Sequence, residues 1–367
     1  MAANARRLVI YGGYGVFGKL VAEDLLKFSD ARLLLVGRDL GKATRCAREL
    51  GERANAGVSD ISDLVSIKTA IADAAGVICC AGPFQTLPLN ILRAAMELRV
   101  PYADLADSRT YVRHVYSLEQ QIRQADVPVL TGLSTVPGTA SILVKLASEF
   151  IAQIDAVHIA LFMGNKNQKG EGAIRSLLCN LGNSISIPRD GSHISVRVWG
   201  GREEVDFPPP IGRRPMYFFD APDYDLLPTY FHAKTVTFKC GFDLDFMNRS
   251  LACLRTFKLL TGYPVERLAR ALIFLSKAFA FLGSGRGMLR VEVLGRTQGQ
   301  TKRFLGTIHA DVRGQRVAAV PAALAGAAFW NGEIRTAGIL PMYEWIEPNS
   351  FLRQLKQRGF HCDIHVE

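Results

Sequence analysis

The sequence predicts a doubly wound α/β fold with a parallel sheet, followed by a second α+β domain with a mixed or antiparallel sheet. Three observations support this prediction. Up to about residue 135, short apolar runs alternate strictly with helical patterns, which is typical of a parallel sheet covered by helices. After Pro137 the chain contains longer segments in which polar and apolar residues alternate, as in half-exposed antiparallel strands. The length of 367 residues fits two domains, since a domain usually has about 100–200 residues.

The elements of the first domain follow one another in a regular order. Strands are expected at Arg7–Tyr11, Ala31–Val36, Gly57–Ser59, Gly76–Cys80, Pro101–Leu105 and Val127–Leu130. Helices are expected between them, at Gly18–Phe28, from Leu40 to about Arg53, and at Ile61–Ala74, Leu87–Leu98 and Val112–Gln124. Because each strand is followed by a helix, the strands are expected to run parallel in one sheet.

The second part of the chain is predicted to have longer strands and fewer helices. Strands are expected at Ile154–Met163, His193–Trp199, Lys234–Lys239, Met288–Leu294 and Phe304–Arg313, with a helix at Gly172–Asn180. Glu203–Asp225, rich in Pro, Arg and aromatic residues, is interpreted as an irregular loop. Helices at Ala318–Trp330 and Ser350–Arg358 close the chain, and the alanine-rich face of the first is expected to pack on the first domain. The predicted divisions are 1–136, 137–316 and a C-terminal helical segment, 317–367.

The charge balance favours a partner that carries negative charge. Lys and Arg together number 44, Asp and Glu number 34, and the net charge is +10. Phosphates, acidic substrates and anionic lipid heads all suit this charge. The basic residues form no run of five or more, so nucleic-acid binding is not expected. A small-molecule substrate is therefore the expected partner, and the sequence leaves a homodimer open.

Cysteine usage and hydropathy indicate a reducing compartment and no membrane span. The seven cysteines form no CxxC pair and no Cys/His cluster with zinc spacing, so no metal site is expected and a cytoplasmic location is predicted. The uncharged stretches Val127–Val144 and Val317–Gly332 contain prolines, and the second is shorter than the ~20 residues of a spanning helix. Lys277 interrupts the apolar stretch Ala271–Leu282, which would form at most a surface-associated helix.

A glycine-rich loop follows the first predicted strand. Gly13, Gly15 and Gly18 form the pattern G-x-G-x-x-G, and Gly12 also permits G-x-x-G-x-x-G. In dinucleotide-binding folds one glycine makes a tight turn, the second lets the pyrophosphate approach, and the third brings helix and strand together. The free N–H groups of the helix N-terminus then face the phosphates. The loop, with its intervening residues Tyr14, Val16 and Phe17, is predicted to bind a nicotinamide dinucleotide in a Rossmann domain; the alternative is a glycine-rich turn without a ligand.

The end of the second strand bears on the choice between NAD and NADP. NAD-binding domains usually place an acidic residue about 20 residues beyond the glycines, where it holds the ribose hydroxyls. Here Arg38 occupies that position, and a guanidinium there can pair with the 2′-phosphate of NADP. NADP is therefore the predicted cofactor. NAD stays open, because the adjacent Asp39 could turn towards a ribose instead of capping the next helix.

Further candidates follow the other strands, since ligands of open α/β sheets bind beyond the carboxyl ends of the strands. Ser59 and Asp60 are expected beside the adenine, and Ala81-Gly82-Pro83 beside the nicotinamide ribose. Asp104 and Asp107 are weak candidates for a catalytic role, with helix N-capping as the alternative for each. No catalytic acid or base is assigned with more support than these two.

Several of these motifs, in this order along one chain, resemble the saccharopine dehydrogenase-like oxidoreductases. The motifs are the glycine loop, Gly37-Arg38, Ala81-Gly82-Pro83-Phe84, Pro101-Tyr102-Ala103-Asp104-Leu105, Gly132 with Pro137-Gly138, and the closing run from Gly338 to Phe360. The resemblance covers the nucleotide domain and both ends of the chain and is thin between about residues 150 and 280. It implies a Rossmann domain, an inserted substrate domain and an NAD(P)-dependent oxidoreductase. The residues that bind the substrate carboxylates of saccharopine enzymes have no counterpart here, so saccharopine is not the expected substrate.

Two classes of function follow from these observations. The first is a reductase or dehydrogenase that transfers a hydride to or from a small C=N, C=O or activated C=C substrate. Reduction of a lipid-like substrate at a membrane surface is a variant of this class. The second is a non-catalytic NADP(H)-binding regulator that senses redox state.

Overall fold

A computed structural model describes residues 6–257 and 265–367. The strands, in chain order, are β1 (Leu8–Tyr11), β2 (Leu33–Gly37), β3 (Ala54–Val58), β4 (Gly76–Cys79), β5 (Tyr102–Asp104), β6 (Pro128–Leu130), β7 (Gln153–Met163), β8 (Ser184–Arg189), β9 (Ser192–Arg197), β10 (Glu203–Phe207), β11 (Gly212–Phe218), β12 (Thr235–Phe242), β13 (Gly287–Thr297), β14 (Gln300–Ala310), β15 (Gly338–Ile339) and β16 (His361–Val366).

The helices are α1 (Val16–Phe28), α2 (Leu40–Leu50), α3 (Leu64–Ile71), α4 (Asn90–Leu98), α5 (Arg109–Tyr116), α6 (Glu119–Gln124), α7 (Ala140–Ala147), α8 (Glu171–Asn180), α9 (Asp223–Phe231), α10 (Asp245–Phe257), α11 (Val265–Ala278), α12 (Val320–Asn331), α13 (Met342–Trp345) and α14 (Pro348–Gln357). The helix expected over Val112–Gln124 is divided into α5 and α6, because the chain turns at Ser117 and Leu118.

The described chain forms two compact units. Of the described residues, the first unit combines 6–134 with 318–345, and the second combines 135–257 and 265–317 with 346–367. The last stretch differs from the sequence expectation, which grouped 317–367 as one helical segment. It ends in a strand, β16, which pairs antiparallel with β14 from Phe304↔Val366 to His309↔His361.

The first unit is built on a seven-stranded parallel sheet. Its strand order is β15-β6-β5-β4-β1-β2-β3, the doubly wound order predicted from the alternation of strands and helices. Strand β1 lies between β2 and β4, and all four of its residues are buried. The order reverses between β1 and β4, so the crevice beyond their carboxyl ends is the expected ligand site of the sheet.

Helix α12 packs against α1 and β4 in this unit. Close approach depends on two glycines, because a Cβ at Gly76 would lie 2.6 Å from the ring of Phe329, and a Cβ at Gly326 would lie 2.7 Å from Ile78. At the end of the helix, the Trp330 indole N–H donates to Asp30 at 2.7 Å.

The second unit contains a mixed sheet of seven strands and a separate hairpin of β8 and β9. The strand order of the larger sheet is β10-β11-β12-β7-β13-β14-β16. Strands β12 and β7 are parallel, and the other neighbouring pairs are antiparallel. The predicted fold class is therefore confirmed for both units.

The interpretation of Glu203–Asp225 as an irregular loop was wrong. This stretch forms β10, β11 and the start of α9. Burial explains the difference, since Phe207 and Met216 join a core cluster with Phe162 and Met288. Three of its five prolines occupy the turn between the two strands, at residues 208–210, while Pro215 lies within β11 and Pro222 precedes α9.

Within the described parts of the chain, no helix is long and apolar enough to cross a membrane. The stretch Ala271–Leu282 continues α11 into a short 3-10 turn, and Phe274 and Phe281 are exposed there.

Candidate nucleotide-binding site

The glycine-rich loop lies at the carboxyl ends of β1 and β4, where the order of the first sheet reverses. The Gly12 N–H donates to the Val36 carbonyl oxygen at 2.9 Å, and the Cys80 N–H donates to the Tyr11 carbonyl oxygen at 2.8 Å. A Cβ at Gly12 would lie 2.9 Å from the Cα of Ala81. The loops after β1 and β4 are therefore in contact through Ala81, and the other predicted residues, Gly82 and Pro83, follow it directly in the chain.

Gly12 and Gly18 are required by the protein itself. Gly12 has a φ of +70°, a conformation that residues with a side chain rarely adopt. A Cβ at Gly18 would lie only 2.2 Å from the Gly12 carbonyl oxygen, so this glycine brings α1 close to the loop. Gly13 is buried, and a Cβ there would lie 2.9 Å from Leu35.

Gly15 differs from these glycines because its backbone conformation does not require a glycine. Its φ of −71° is accessible to any residue. It is exposed, and a Cβ there would meet only the Gly12 carbonyl oxygen within 4 Å, at 3.0 Å. The space above Gly15 is open, as the close approach of a pyrophosphate requires.

The N-terminus of α1 presents N–H groups without a capping side chain. Gly15 is its N-cap residue, and the first turn contains no acidic residue. Helices α2 and α3, by contrast, are capped by Asp39 and Asp63, whose carboxylates accept backbone N–H groups at 2.9 Å. The first N–H groups of a helix need acceptors, and the helix dipole favours anions there. This end of α1 is therefore suited to a phosphate.

Tyr14 fixes the outer side of the loop against the end of β2. A Cβ at Gly37 would lie 2.4 Å from the Tyr14 ring, so the ring covers this glycine closely. The Tyr14 hydroxyl oxygen accepts the Asp39 N–H at 3.3 Å. The loop is thus held in register with the strand end that carries Arg38. Val16 and Phe17, the other loop residues predicted to contact the cofactor, are half-buried at the start of α1.

Arg38 and Asp39 differ in their availability to a ligand. Arg38 is exposed, and within the described residues no hydrogen bond or ion pair engages its guanidinium. Asp39 is engaged by its own helix, because Oδ1 accepts the Lys42 N–H at 2.9 Å and Oδ2 lies 3.3 Å from Lys42 Nζ. The hydrogen bond from the Lys42 backbone lowers the pKa of Asp39. Asp39 therefore has the helix-capping role that the sequence analysis considered as one of its alternatives.

Ser59 and Asp60, the residues expected beside the adenine, lie at the end of β3. Ser59 is buried, and its hydroxyl lies 3.0 Å from the Tyr11 hydroxyl and accepts from Ser66 at 3.1 Å. Asp60 is exposed and accepts the Ser62 N–H at 2.9 Å. That hydrogen bond lowers the pKa of Asp60, and the positive charge of Arg38 acts in the same direction. The side chain of Ser59 therefore supports β1 internally, whereas Asp60 faces solvent.

Asp104 and Asp107 follow β5 and differ in their surroundings. Asp104 is fully buried, and Oδ1 accepts the N–H groups of Gly132 at 2.8 Å and Ala106 at 3.0 Å. The Thr131 hydroxyl also donates to its carboxylate. Burial raises the pKa of Asp104 to about 6 in spite of these donors. Its contacts join the ends of β5 and β6, which is a structural role.

Asp107 is half-buried, and burial raises its pKa to about 6. It is not the cap of α5, since the Ser108 hydroxyl oxygen accepts the Tyr111 N–H there. A carboxyl group with this pKa can hold a proton near neutral pH and release it to a substrate.

Comparison with known proteins agrees with this geometry. Residues 8–129 match the family model of the saccharopine dehydrogenase NADP binding domain. Among solved structures, apo saccharopine dehydrogenase (L-Glu forming) from Saccharomyces cerevisiae has a TM-score of 0.72 at 16% identity, with 99% of this chain and 100% of that chain covered. A search of curated proteins by sequence found no match.

Two further similar structures are dehydrogenases. A mutant of meso-dapdh from Clostridium tetani has a TM-score of 0.47 at 17% identity and covers 95% of this chain and 98% of its own. Serine dehydrogenase from Escherichia coli has a TM-score of 0.29 at 12% identity, over 34% of this chain and 80% of its own. The resemblance drawn from the sequence motifs is confirmed: residues 8–129 match the model of the saccharopine dehydrogenase NADP binding domain, and the chain has the fold of the yeast enzyme.

Proposed function

We propose that this protein is an NADP(H)-preferring oxidoreductase that transfers a hydride to or from a small C=N, C=O or activated C=C substrate. One observation carries the proposal. Gly15 leaves open space in front of the uncapped N-terminus of α1, at the crevice between β1 and β4. The family model of residues 8–129 supports a dinucleotide as the ligand of this space.

Different residues of the chain would bind different parts of the dinucleotide. The first N–H groups of α1 would hold the pyrophosphate above Gly15. The guanidinium of Arg38, which is exposed at the end of β2, would hold the 2′-phosphate. Ala81, Gly82 and Pro83 would border the nicotinamide ribose after β4. When bound, the nicotinamide supplies or accepts the hydride.

Asp107 would donate the proton in the reductive direction, since it lies at the same carboxyl-terminal edge of the sheet and its pKa is raised to about 6. Asp104 is assigned no chemical step, because its carboxylate is already occupied by donors from the protein. Among the candidate substrates we favour the C=N class, because the similar yeast structure is a saccharopine dehydrogenase.

Titration of NADPH by calorimetry tests the binding site. Gly15→Val should fold like the wild type, because its φ of −71° suits a valine, but the side chain would occupy the pyrophosphate space. We expect NADPH affinity to fall at least about 100-fold, corresponding to the loss of roughly 3 kcal/mol of phosphate contacts. Gly57→Val is the matched control, because a Cβ at Gly57 makes only ordinary contacts with Leu34, from 3.4 Å.

Both variants should keep the unfolding temperature of the wild type within a few degrees. Near-wild-type NADPH affinity in folded Gly15→Val would contradict the proposed site. Turnover is tested separately, by following NADPH oxidation over a panel of imines, carbonyls and activated alkenes. Tight NADPH binding without turnover of any class would favour the non-catalytic regulator instead.

A further inference from the structure

Strand pairing in the second unit brings together two histidines that are distant in sequence. His309 lies near the end of β14 and His361 at the start of β16, and the antiparallel register places them directly opposite each other. Their imidazole rings are stacked, with centroids 4.5 Å apart and planes inclined by 14°. Both side chains therefore lie on the same face of the sheet edge.

A carboxylate completes this group one residue beyond β14. Asp311 Oδ2 lies 3.6 Å from His361 Nε2, and Oδ1 lies 3.7 Å from Arg286 Nε. One nitrogen from each histidine and one oxygen of Asp311 all lie within 4.8 Å of one another. Arg286 is an ion-pair partner of Oδ1 at a distance too long for a hydrogen bond, and Oδ2 is the oxygen that lies near His361.

We propose that His309, Asp311 and His361 form a binding site for a divalent transition-metal ion of the Zn²⁺ type. Imidazole is a common ligand for zinc, copper, iron and nickel, and two imidazoles with one carboxylate form a common three-ligand set. Zn–N and Zn–O distances of about 2.0–2.2 Å place tetrahedral ligand atoms about 3.3–3.5 Å apart. The Asp311–His361 distance of 3.6 Å is already close to this value.

The remaining adjustment falls on side chains with freedom to move. His361 and Asp311 are more than half exposed, and rotation of their side chains can bring three ligand atoms to one ion. Among the described residues His309 Nδ1 is buried without a hydrogen-bond partner, so no protein donor competes with a metal ion for its lone pair. Solvent can supply the fourth ligand on the exposed side.

A metal at this position would tie the last strand to its neighbour. Strand β16 is the edge strand of the sheet and pairs only with β14 among the described strands. Its residues His361, Asp363 and His365 are exposed, so few buried side chains hold it in place. An ion bridging β14 and β16 would therefore slow the local opening of this edge.

The test uses the full chain without a polyhistidine tag and two probes, Zn²⁺ for calorimetry and Co²⁺ for absorption spectroscopy. The wild type should bind one equivalent of Zn²⁺ at this site, and Co²⁺ should give the visible bands of a site with nitrogen and oxygen ligands. His309→Gln and His361→Gln should each weaken Zn²⁺ binding at least about tenfold, since even indirect partners of a metal ligand contribute 10- to 100-fold.

His365→Gln is the matched control. His365 lies on the same strand and is exposed in the same way, but it faces Leu305 across the pair and lies outside the cluster. This variant should keep the wild-type affinity for Zn²⁺. Zn²⁺ should also slow hydrogen exchange of the β16 amides in the wild type and in His365→Gln, but not in His361→Gln.

Three outcomes would overturn the proposal. The first is a loss of Zn²⁺ binding in His365→Gln equal to that in the ligand variants. The second is full retention of Zn²⁺ binding in the His309→Gln/His361→Gln double variant, and the third is a Co²⁺ spectrum with the bands of thiolate ligation. The last would place the ion at a cysteine such as the exposed Cys179 or Cys253. The unfolding temperature of each variant without metal should equal that of the wild type, because the changed side chains are polar and not buried in the core.

Discussion

Replacement of Arg38 by alanine tests the cofactor preference most directly. The guanidinium is exposed at the end of β2, and no described residue pairs with it. Its removal therefore breaks no intramolecular contact that would disturb the fold. Asp39 is held by Lys42 through both carboxylate oxygens, so in this arrangement it is not available to bind the ribose hydroxyls in place of Arg38 binding the 2′-phosphate.

The size of the effect follows from the type of contact. A hydrogen bond to a charged group contributes about 1.5–3 kcal/mol, and each 1.4 kcal/mol corresponds to a factor of ten. Arg38→Ala should weaken NADPH binding about 10- to 100-fold and leave NADH binding within about twofold. The loss should shrink as salt rises, since the Debye length falls to about 3 Å at 1 M.

Calorimetry of NADPH and NADH binding to the wild type and Arg38→Ala, at low and high salt, tests whether Arg38 binds the 2′-phosphate. Arg45→Ala is the control for net charge, because Arg45 is also exposed and lies on α2, one turn beyond its start. An equal loss of NADH and NADPH affinity would mean that Arg38 contacts a part common to both cofactors. That result, or a wild type that prefers NADH, would refute the assignment of Arg38 to the 2′-phosphate.

Two further predictions concern buried carboxyl groups. Asp107→Asn should lower the rate of substrate reduction at least about 100-fold at unchanged NADPH affinity. The wild-type rate should fall as pH rises through about 6, and the variant should not show this fall. A variant with the same pH profile as the wild type would exclude Asp107 as the proton donor. Asp223 is fully buried with neither carboxylate oxygen hydrogen-bonded, and burial raises its pKa from 3.8 to about 7. The folded state holds this proton more tightly than the unfolded state, so the protonated group contributes stability to the fold. This contribution is fully present below about pH 4 and is lost as pH rises through about 7. Asp223→Asn should therefore raise the free energy of unfolding by roughly 2–4 kcal/mol at about pH 8, with little effect at pH 4. Denaturant titrations at both pH values measure this gain in the free energy of unfolding. Asp206→Asn is the control, because the Asp206 side chain is 81% exposed. An equal gain for Asp223→Asn at both pH values would contradict the prediction.

The sequence was sufficient to predict strands β1 to β6 of the first unit because their signals are local, whereas the two-residue strand β15 was not expected. Each buried strand is a short apolar run followed within a few residues by a helix, so that neighbouring residues in sequence define each element. The glycine loop is the strongest case, since β1, the loop and the start of α1 are consecutive. What the sequence could not separate is the role of each glycine. The structure shows that Gly18 is needed for packing and that Gly15 leaves open space.

The second unit was harder to predict because burial there depends on partners far away in sequence. The prolines and arginines of Glu203–Asp225 are typical of loops. Pairing of β11 with β10 and β12 nevertheless forms strands there, and Met216 is buried in a core cluster with Phe162 and Met288. Asp107 illustrates the same limit in the site, since its position before a helix suggested a cap. Only the structure shows that Ser108, and not Asp107, has this role.

The register of β16 against β14, which forms the histidine cluster, could have been inferred from a short pattern in the closing segment of the sequence. In the closing segment the buried Phe360 and Cys362 alternate with the exposed His361 and Asp363, which is the period of a half-buried strand. A shift of one residue in the pairing of β16 would turn Cys362 to solvent and His361 to the core. Burial of the apolar positions therefore fixes the register that places His361 opposite His309. In the proposed site, metal affinity would thus depend on the apolar residues that alternate with the ligands as well as on the ligands themselves.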